Sequence, residues 1–224
     1  MSHKFLLLDT TYAVSSYALA EEGKGVVALR HHAEAQEQAA VINNMIDTLL
    51  KEAGWSCRDL SAVIICSGPG SYTGMRISYS VAKGLCYGLE LPLVAVDRLS
   101  VLAYGKPGVS LVALYARTGE YFAGICRDAE WLVAPRHCEE NALPGYVQQL
   151  APQRLITDRV PAIWQDACPL EVEQLDLLQP LNMDFLYMLG REKYRAGSYE
   201  DIAYSEPLYL KPVYTTVPGK KSIL

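Results

Sequence analysis

The stretch "CSGPGSYTGMRIS", residues 66–78, decides how this chain is read. A strand-like run, Ser61-Ala62-Val63-Ile64-Ile65-Cys66-Ser67, leads into it, and a helical pattern starts at about Ser71 and runs to about Leu89. Between them lie Gly68, Pro69, Gly70, Ser71, Thr73 and Gly74. Strand, glycines and helix together invite a phosphate cradle, and the spacing tests it. The dinucleotide fingerprint needs G-x-G-x-x-G, whereas Gly68, Gly70 and Gly74 are one residue too widely spaced. A P-loop needs Gly-Lys-Ser/Thr, and Met75 follows Gly74. Ser71 suits a helix N-cap, where free amides could hold an anion. The preferred reading is a close-packing turn, in which Gly68 and Gly70 adopt backbone conformations closed to other residues.

The helix sharpens that expectation. At 100° per residue, Ile77, Val81, Leu85 and Leu89 share one side, the expected core face. Ser80, Gly84 and Gly88 run beside them at i, i+4 and i+8. An interior helix glycine costs ~1 kcal/mol relative to alanine, so two of them predict a closely packed neighbour, from this chain or another.

Working outward, "KFLLLDT" (4–10), "VSSYALAEE" (14–22) and "GVVALRHH" (25–32) read as three strands joined by turns. Residues 34–53 read as a helix ending at Gly54, with Ala35, Ala39, Ile42, Ile46, Leu49 and Ala53 as its apolar stripe. Val41, Met45 and Thr48 lie off that stripe. After the glycine turn and its helix comes the strand "LPLVAV" (91–96). Gly105-Lys106-Pro107-Gly108 is the linker candidate, dividing a first lobe, 1–105, from a second, 106–224. Residues 110–135 again offer three strands, followed by a helix at 142–151, the strand "RLITD" (154–158) and a helix at about 182–196. "SEPLYLKPVYTT" is expected to be extended, because its prolines exclude a regular helix. The shared strand–turn–strand outline of residues 6–22 and 112–128 suggests internal duplication, and the whole pattern is that of a mixed-sheet α/β protein.

The chain has 224 residues, half of them hydrophobic and a fifth charged, which is ordinary for a soluble protein. A net charge of −5 gives no general attraction to nucleic acid or anionic membrane. Any RNA involved is therefore expected to be held by a basic partner. The six cysteines form no C-x-x-C pair and sit in apolar runs, which predicts reduced thiols and a cytoplasmic location. No leader and no apolar run near 18 residues is visible.

"GPGSYTGMRIS" followed by "ELPLVAVDRLSVLA" resembles the signature of the bacterial TsaB (YeaZ) family of tRNA threonylcarbamoyladenosine biosynthesis proteins. "LLLDTTYAVSSYALA", "YARTGEYFAGI" and "SEPLYLKP" are similar to that family's two hairpins and C-terminal strand. The resemblance implies duplicated ribonuclease H-like lobes of the actin, sugar kinase and Hsp70 ATPase (ASKHA) type. It also implies a non-catalytic subunit that pairs with TsaD. With the ATPase TsaE, that complex forms threonylcarbamoyladenosine at position 37 of tRNAs reading ANN codons. The subunit is expected to self-pair when alone, to touch tRNA only through the complex, and to avoid membranes. ATP or ADP and Mg²⁺ are expected only within the TsaD/TsaE assembly, with no cofactor or metal on this chain alone. The expected partner surface joins Val41, Met45 and Thr48 to Arg76, Ser80, Gly84 and Gly88.

In ATPases of this type, carboxylates at the two hairpins organise metal and phosphates. Asp9 stands in the first hairpin beside Thr10, but the matching place in the second is Tyr115. A neutral phenol is a poor Mg²⁺ ligand, so the nucleotide cleft is expected to be degenerate, with Asp9 bonding Thr10, Thr11 or turn amides. TsaD-like proteins carry H-x-x-x-H on a helix, and none of His3, His31, His32 and His137 repeats at that spacing. All four are expected at the surface. No G-x-S-x-G surrounds Ser71, Ser78 or any other serine. An actin-like small-molecule kinase or a glycoprotease-like peptidase remains the alternative. "Arg117-Thr118-Gly119-Glu120" is expected to form a salt bridge at a turn or between the lobes, and Arg76 to be solvated or partner-facing. The basic tail "LKPVYTTVPGKKSIL" is expected to be mobile and polar.

Overall fold

The computed structural model describes residues 2–128 and 130–211. Its elements are two sets of three antiparallel strands, each set followed by crossover units. The first set is β1 (Lys4–Asp9), β2 (Ser15–Glu21) and β3 (Gly25–His32), then α1 (Gln38–Glu52), β4 (Ala62–Cys66), α2 (Tyr72–Leu89), β5 (Leu93–Val96) and α3 (Arg98–Ala103). The second set is β6 (Val109–Arg117), β7 (Glu120–Arg127) and β8 (Glu130–Glu139), then α4 (Leu143–Leu150), β9 (Arg154–Thr157), β10 (Glu171–Gln174) and α5 (Met183–Arg195).

The two sheets have orders β3-β2-β1-β4-β5 and β10-β9-β6-β7-β8. Read from the opposite edge, the second repeats the first strand for strand. The duplication expected from the hairpins extends to the parallel strands: β4 pairs with β1 as β9 pairs with β6. Phe5, Leu7 and Ala18 face one side of the first sheet, and Leu6, Leu8, Tyr17 and Leu19 the other, all fully buried. Covering both faces explains why β1 reads as a continuous apolar run.

The helical cover crosses between the sheets, which the division at 105/106 does not anticipate. α1 and α2 cover one face of the first sheet through Ile42, Ile46, Leu49, Tyr79 and Ala82. The opposite face is covered by α5, whose Met183, Leu186 and Tyr187 pack on Phe5, Ile64 and Val94. Helix α3 leaves the first sheet and packs Leu99 and Ala103 on Val112, Leu114 and Ile156 of the second. Helix α5 thus covers the sheet of the other lobe and α3 packs on both, with Val101 on the first sheet, so the linker at 105–108 separates the sheets but not the cores.

Two apolar faces differ from expectation. Helix α1 starts at Gln38 after a 3-10 turn at Ala35–Glu37, so its phase is set there and Ala35 and Ala39 are exposed. On α2 the buried face is Met75, Ser78, Tyr79, Ala82 and Cys86. Ile77, Val81, Leu85 and Leu89 are only partly buried, on the flank beside it.

All six cysteines are free thiols. His3 and His31 are exposed, but His32 and His137 are partly buried, and His137 contacts the Glu120 carboxylate at 2.5 Å. Arg117 closes the β6–β7 turn on Glu120 at 2.5 Å, and Lys211 joins the same carboxylate. Hydrogen bonds from Arg117 first, then Lys211 and His137, draw Glu120 down to about 2. Residues 203–211 run without strand pairing across α2: Lys83 Nζ donates to the Ser205 carbonyl (2.9 Å), and the Leu208 amide to Ser67 (2.9 Å). The remainder of the expected basic tail lies outside the described residues. No helix among the described residues is long and apolar enough to cross a membrane.

Candidate functional site

Two places in the fold could carry function: the cleft where the hairpins meet and the outer surface of α1 and α2.

The cleft is built from the glycine turn upward. Gly68 has φ +103°, a region that strongly favours glycine, and its peptide bond to Pro69 is cis. Ser71 caps α2 by accepting from the Gly74 amide (3.2 Å), while its own amide donates to the Thr11 carbonyl (2.7 Å). Thr10 Oγ1 donates to the Gly74 carbonyl at 2.6 Å. A methyl group at Gly74 would fall on the Thr10 carbonyl, 3.0 Å from its carbon and closer to its oxygen. One at Gly70 would meet Thr11 in the same way, 2.9 Å from its Cβ. The turn is pressed onto the β1–β2 loop, and the Ser71 and Gly74 amides are used by the chain itself. Thr73 is exposed beside it.

Asp9 is fully buried. Its Oδ1 accepts from the Thr11 amide (2.9 Å) and the Thr11 hydroxyl (2.6 Å). Its Oδ2 accepts from Arg98 Nη1 at 3.1 Å. Arg98 is itself 2% exposed, also donates to Thr11 Oγ1 (3.0 Å), and lies over the Tyr12 ring at 4.1 Å. The second lobe brings Tyr115, half-buried, whose amide donates to Asp158 Oδ1 at 2.7 Å and whose ring lies under Arg159 at 3.9 Å. Burial raises Asp158, opposed by the charges of Arg159 and Arg98, and burial pushes Tyr12 up to about 12. Cys66, behind Asp9, is raised by burial and by the Asp9 charge.

The fold implies a metal and nucleotide phosphates between these hairpins, and the residues present do not fit them. Both oxygens of Asp9 already accept hydrogen bonds, the Ser71 and Gly74 amides are engaged, and the second hairpin offers a phenol. No group of three or more His, Cys, Asp or Glu side chains suited to a metal occurs among the described residues. The candidate serines are likewise engaged within α2: Ser71 as its cap, and Ser78 Oγ donating to the Met75 carbonyl at 3.2 Å.

Sequence reasoning named Asp9, Thr10 and Tyr115 for this cleft and did not include Arg98, Tyr12 and Asp158, which lie against them. Asp158 follows an apolar strand, "LIT", just as Asp9 ends "LLL", and that parallel was the available signal. Arg98 opens a six-residue helix and carries no signal of its own.

The second place is the outer flank of α1 and α2. Gly84 and Gly88 are exposed, and a Cβ at either would have nothing within 4 Å. Thr48, Arg76 and Ser80 are exposed, Val41 and Met45 half-buried. Arg76 stacks on Tyr72 at 4.5 Å. These residues lie on two adjacent helices, and among the described residues no helix covers the glycines.

A family model described as tRNA N6-adenosine threonylcarbamoyltransferase (TsaD) matches residues 11–126, just over half the chain. The Escherichia coli K12 protein TsaB is 29% identical over 97% of this chain and all of its own length. The chain belongs to the TsaD-like family, in its TsaB (YeaZ) group. The Bacillus subtilis TsaB is 36% identical over 36% of each chain. YeaZ from Pseudomonas aeruginosa superposes with a TM-score of 0.69 at 23% identity, over 93% of this chain and 100% of that one. A putative N-acetylmannosamine kinase from Listeria monocytogenes shares the fold at a TM-score of 0.50 and 10% identity, over 85% of this chain and 99% of its own. The TsaB (YeaZ) group thus uses the ASKHA architecture expected from the sequence, here with a glycine turn packed against its own hairpin.

Proposed function

We propose that this chain is a non-catalytic subunit in the formation of threonylcarbamoyladenosine at position 37 of tRNAs reading ANN codons, pairing in the cytoplasm with TsaD. The single observation that carries the pairing is the α1/α2 flank, where two exposed helix glycines lie beside a half-buried apolar stripe, Ile77, Val81 and Leu85. Glycines retained at ~1 kcal/mol each in an exposed helix suit a second helix approaching closely. Apolar side chains left half-covered suit burial by it. Val41 and Met45 of α1 and Arg76 of α2 border the same surface. The printed names of the relatives supply the tRNA modification, and the engaged cleft supports a role without chemistry of its own. TsaE and tRNA are reached through TsaD, any ATP, ADP and Mg²⁺ are handled within that assembly, and the same flank accounts for self-pairing when TsaD is absent.

The test is Gly84→Arg. The side chain would project into open space, so the chain should fold and melt within roughly 4 °C of wild type, about 1 kcal/mol at this size. Mass measurement with purified TsaD should show the heterodimer for wild type only, and the variant should fail to support modification of tRNA. A folded Gly84→Arg chain that still pairs with TsaD at unchanged affinity would remove this surface from the reading.

A further inference from the structure

We infer that the Arg98 guanidinium is the built-in cation of the cleft, paired with the buried Asp9 carboxylate in place of a metal ion. Three observations carry it. Arg98 opens α3, which packs on both sheets, and its side chain reaches the first-lobe carboxylate Asp9 at 3.1 Å, while its amide donates to the Gly68 carbonyl at 2.7 Å. It therefore ties the start of α3 to both the glycine turn and the β1–β2 loop. Next, both members of the Arg98–Asp9 pair are almost wholly inaccessible, with side chains 3% and 0% exposed. A buried carboxylate requires a compensating charge, and among the described residues Arg98 is the one cation paired with it. Last, Arg98 makes fewer contacts than a purpose-built structural arginine: its Nε is buried and meets no protein acceptor, while Nη1 alone serves Asp9 and Thr11. The position asks for one positive charge against Asp9, with the Tyr12 face behind it, more than for a bidentate fork. Asp158 accepts from the Tyr115 amide at 2.7 Å, and Arg159 lies over the Tyr115 ring at 3.9 Å.

The consequence is a buried cleft carboxylate whose charge is balanced by the chain itself. Removing the arginine should expose a latent divalent-cation site. In Arg98→Ala the Tm is expected to fall by roughly 10 °C, the loss typical of a buried charge left unpaired. Millimolar Mn²⁺ should then raise that Tm by roughly 5 °C or more, with loss of the free-Mn²⁺ signal in electron paramagnetic resonance. Wild type and the double variant Asp9→Asn/Arg98→Ala should show neither response. No Mn²⁺ response in folded Arg98→Ala, or binding by wild type, would overturn the inference. If Arg98→Ala does not fold, Arg98→Lys and Arg98→Met decide. The charge-keeping lysine is expected to retain more than half of the wild-type margin over methionine, and equal melting of the two would show that the charge is not what the site requires.

Discussion

Replacing Gly74 by alanine separates the close-packing reading of the glycine turn from the phosphate-cradle reading. The added methyl would lie on the Thr10 carbonyl, which is backbone and cannot rotate away, so α2 and the β1–β2 loop must part. That movement stretches two hydrogen bonds that join them, Thr10 Oγ1 to the Gly74 carbonyl at 2.6 Å and the Ser71 amide to the Thr11 carbonyl at 2.7 Å. Forcing an extra methylene into a packed site costs about 1–3 kcal/mol, and each buried polar group left unsatisfied about 1–3 kcal/mol. With partial relaxation, the expected loss is roughly 3–5 kcal/mol. Gly84→Ala on the same helix is the internal control: nothing lies within 4 Å of the new methyl, and the substitution should stabilise by up to ~1 kcal/mol. Urea unfolding followed by circular dichroism measures both, with m-values checked for equality. The packing argument fails if Gly74→Ala lies within about 0.5 kcal/mol of wild type, the ordinary range of a substitution touching no special feature.

Two further predictions concern charge. Burial holds Asp158 above its ordinary value of 3.8, so its ionised form costs stability at pH 7 and its favourable contribution is confined to lower pH. Asp158→Asn keeps an acceptor for the Tyr115 amide and should raise the Tm at pH 7, the gain closing as the pH falls towards 4; a lower Tm at pH 7 would refute this. Glu120 runs the other way. Held at about 2 against an ordinary 4.5, it contributes stability that is complete above pH 4.5 and lost as the pH falls towards 2. The urea midpoints of wild type and Glu120→Gln should therefore differ most at pH 6, draw closer below pH 4.5 and meet only towards pH 2, and a gap unchanged between pH 6 and pH 3 would show that the Arg117–Lys211–His137 cluster does not act through the carboxylate.

The strands were legible because each hairpin is an apolar run closed by a turn: β3 was read to the residue at Gly25–His32, and the cap at Ser71 followed from its hydroxyl and the glycines before it. The buried face of α2 was not legible. Ile77, Val81, Leu85 and Leu89 are more hydrophobic than Met75, Ser78, Tyr79, Ala82 and Cys86, and hydrophobicity alone assigns the core to the stronger stripe. The sheet takes the weaker face because the turn, fixed on Thr10 and Thr11, sets the rotation of the helix. Strand β10, "EVEQ", was missed since its edge position leaves three of its four side chains exposed. The docking of α5 on the first sheet, and the reach of Arg98 to Asp9, depend on contacts some 90 to 180 residues apart in sequence, which local pattern does not encode.

The claim that the α1/α2 flank is where this chain meets its partner is tested most directly by hydrogen exchange of the chain with and without TsaD. Slowed exchange is expected at 38–52 and 72–89 alone, strongest around Ser80 to Gly88, with the β1–β2 loop at 10–12 unchanged. Protection centred on another surface, such as the β3 or β8 edge, with the two helices exchanging as in the free chain, would contradict it.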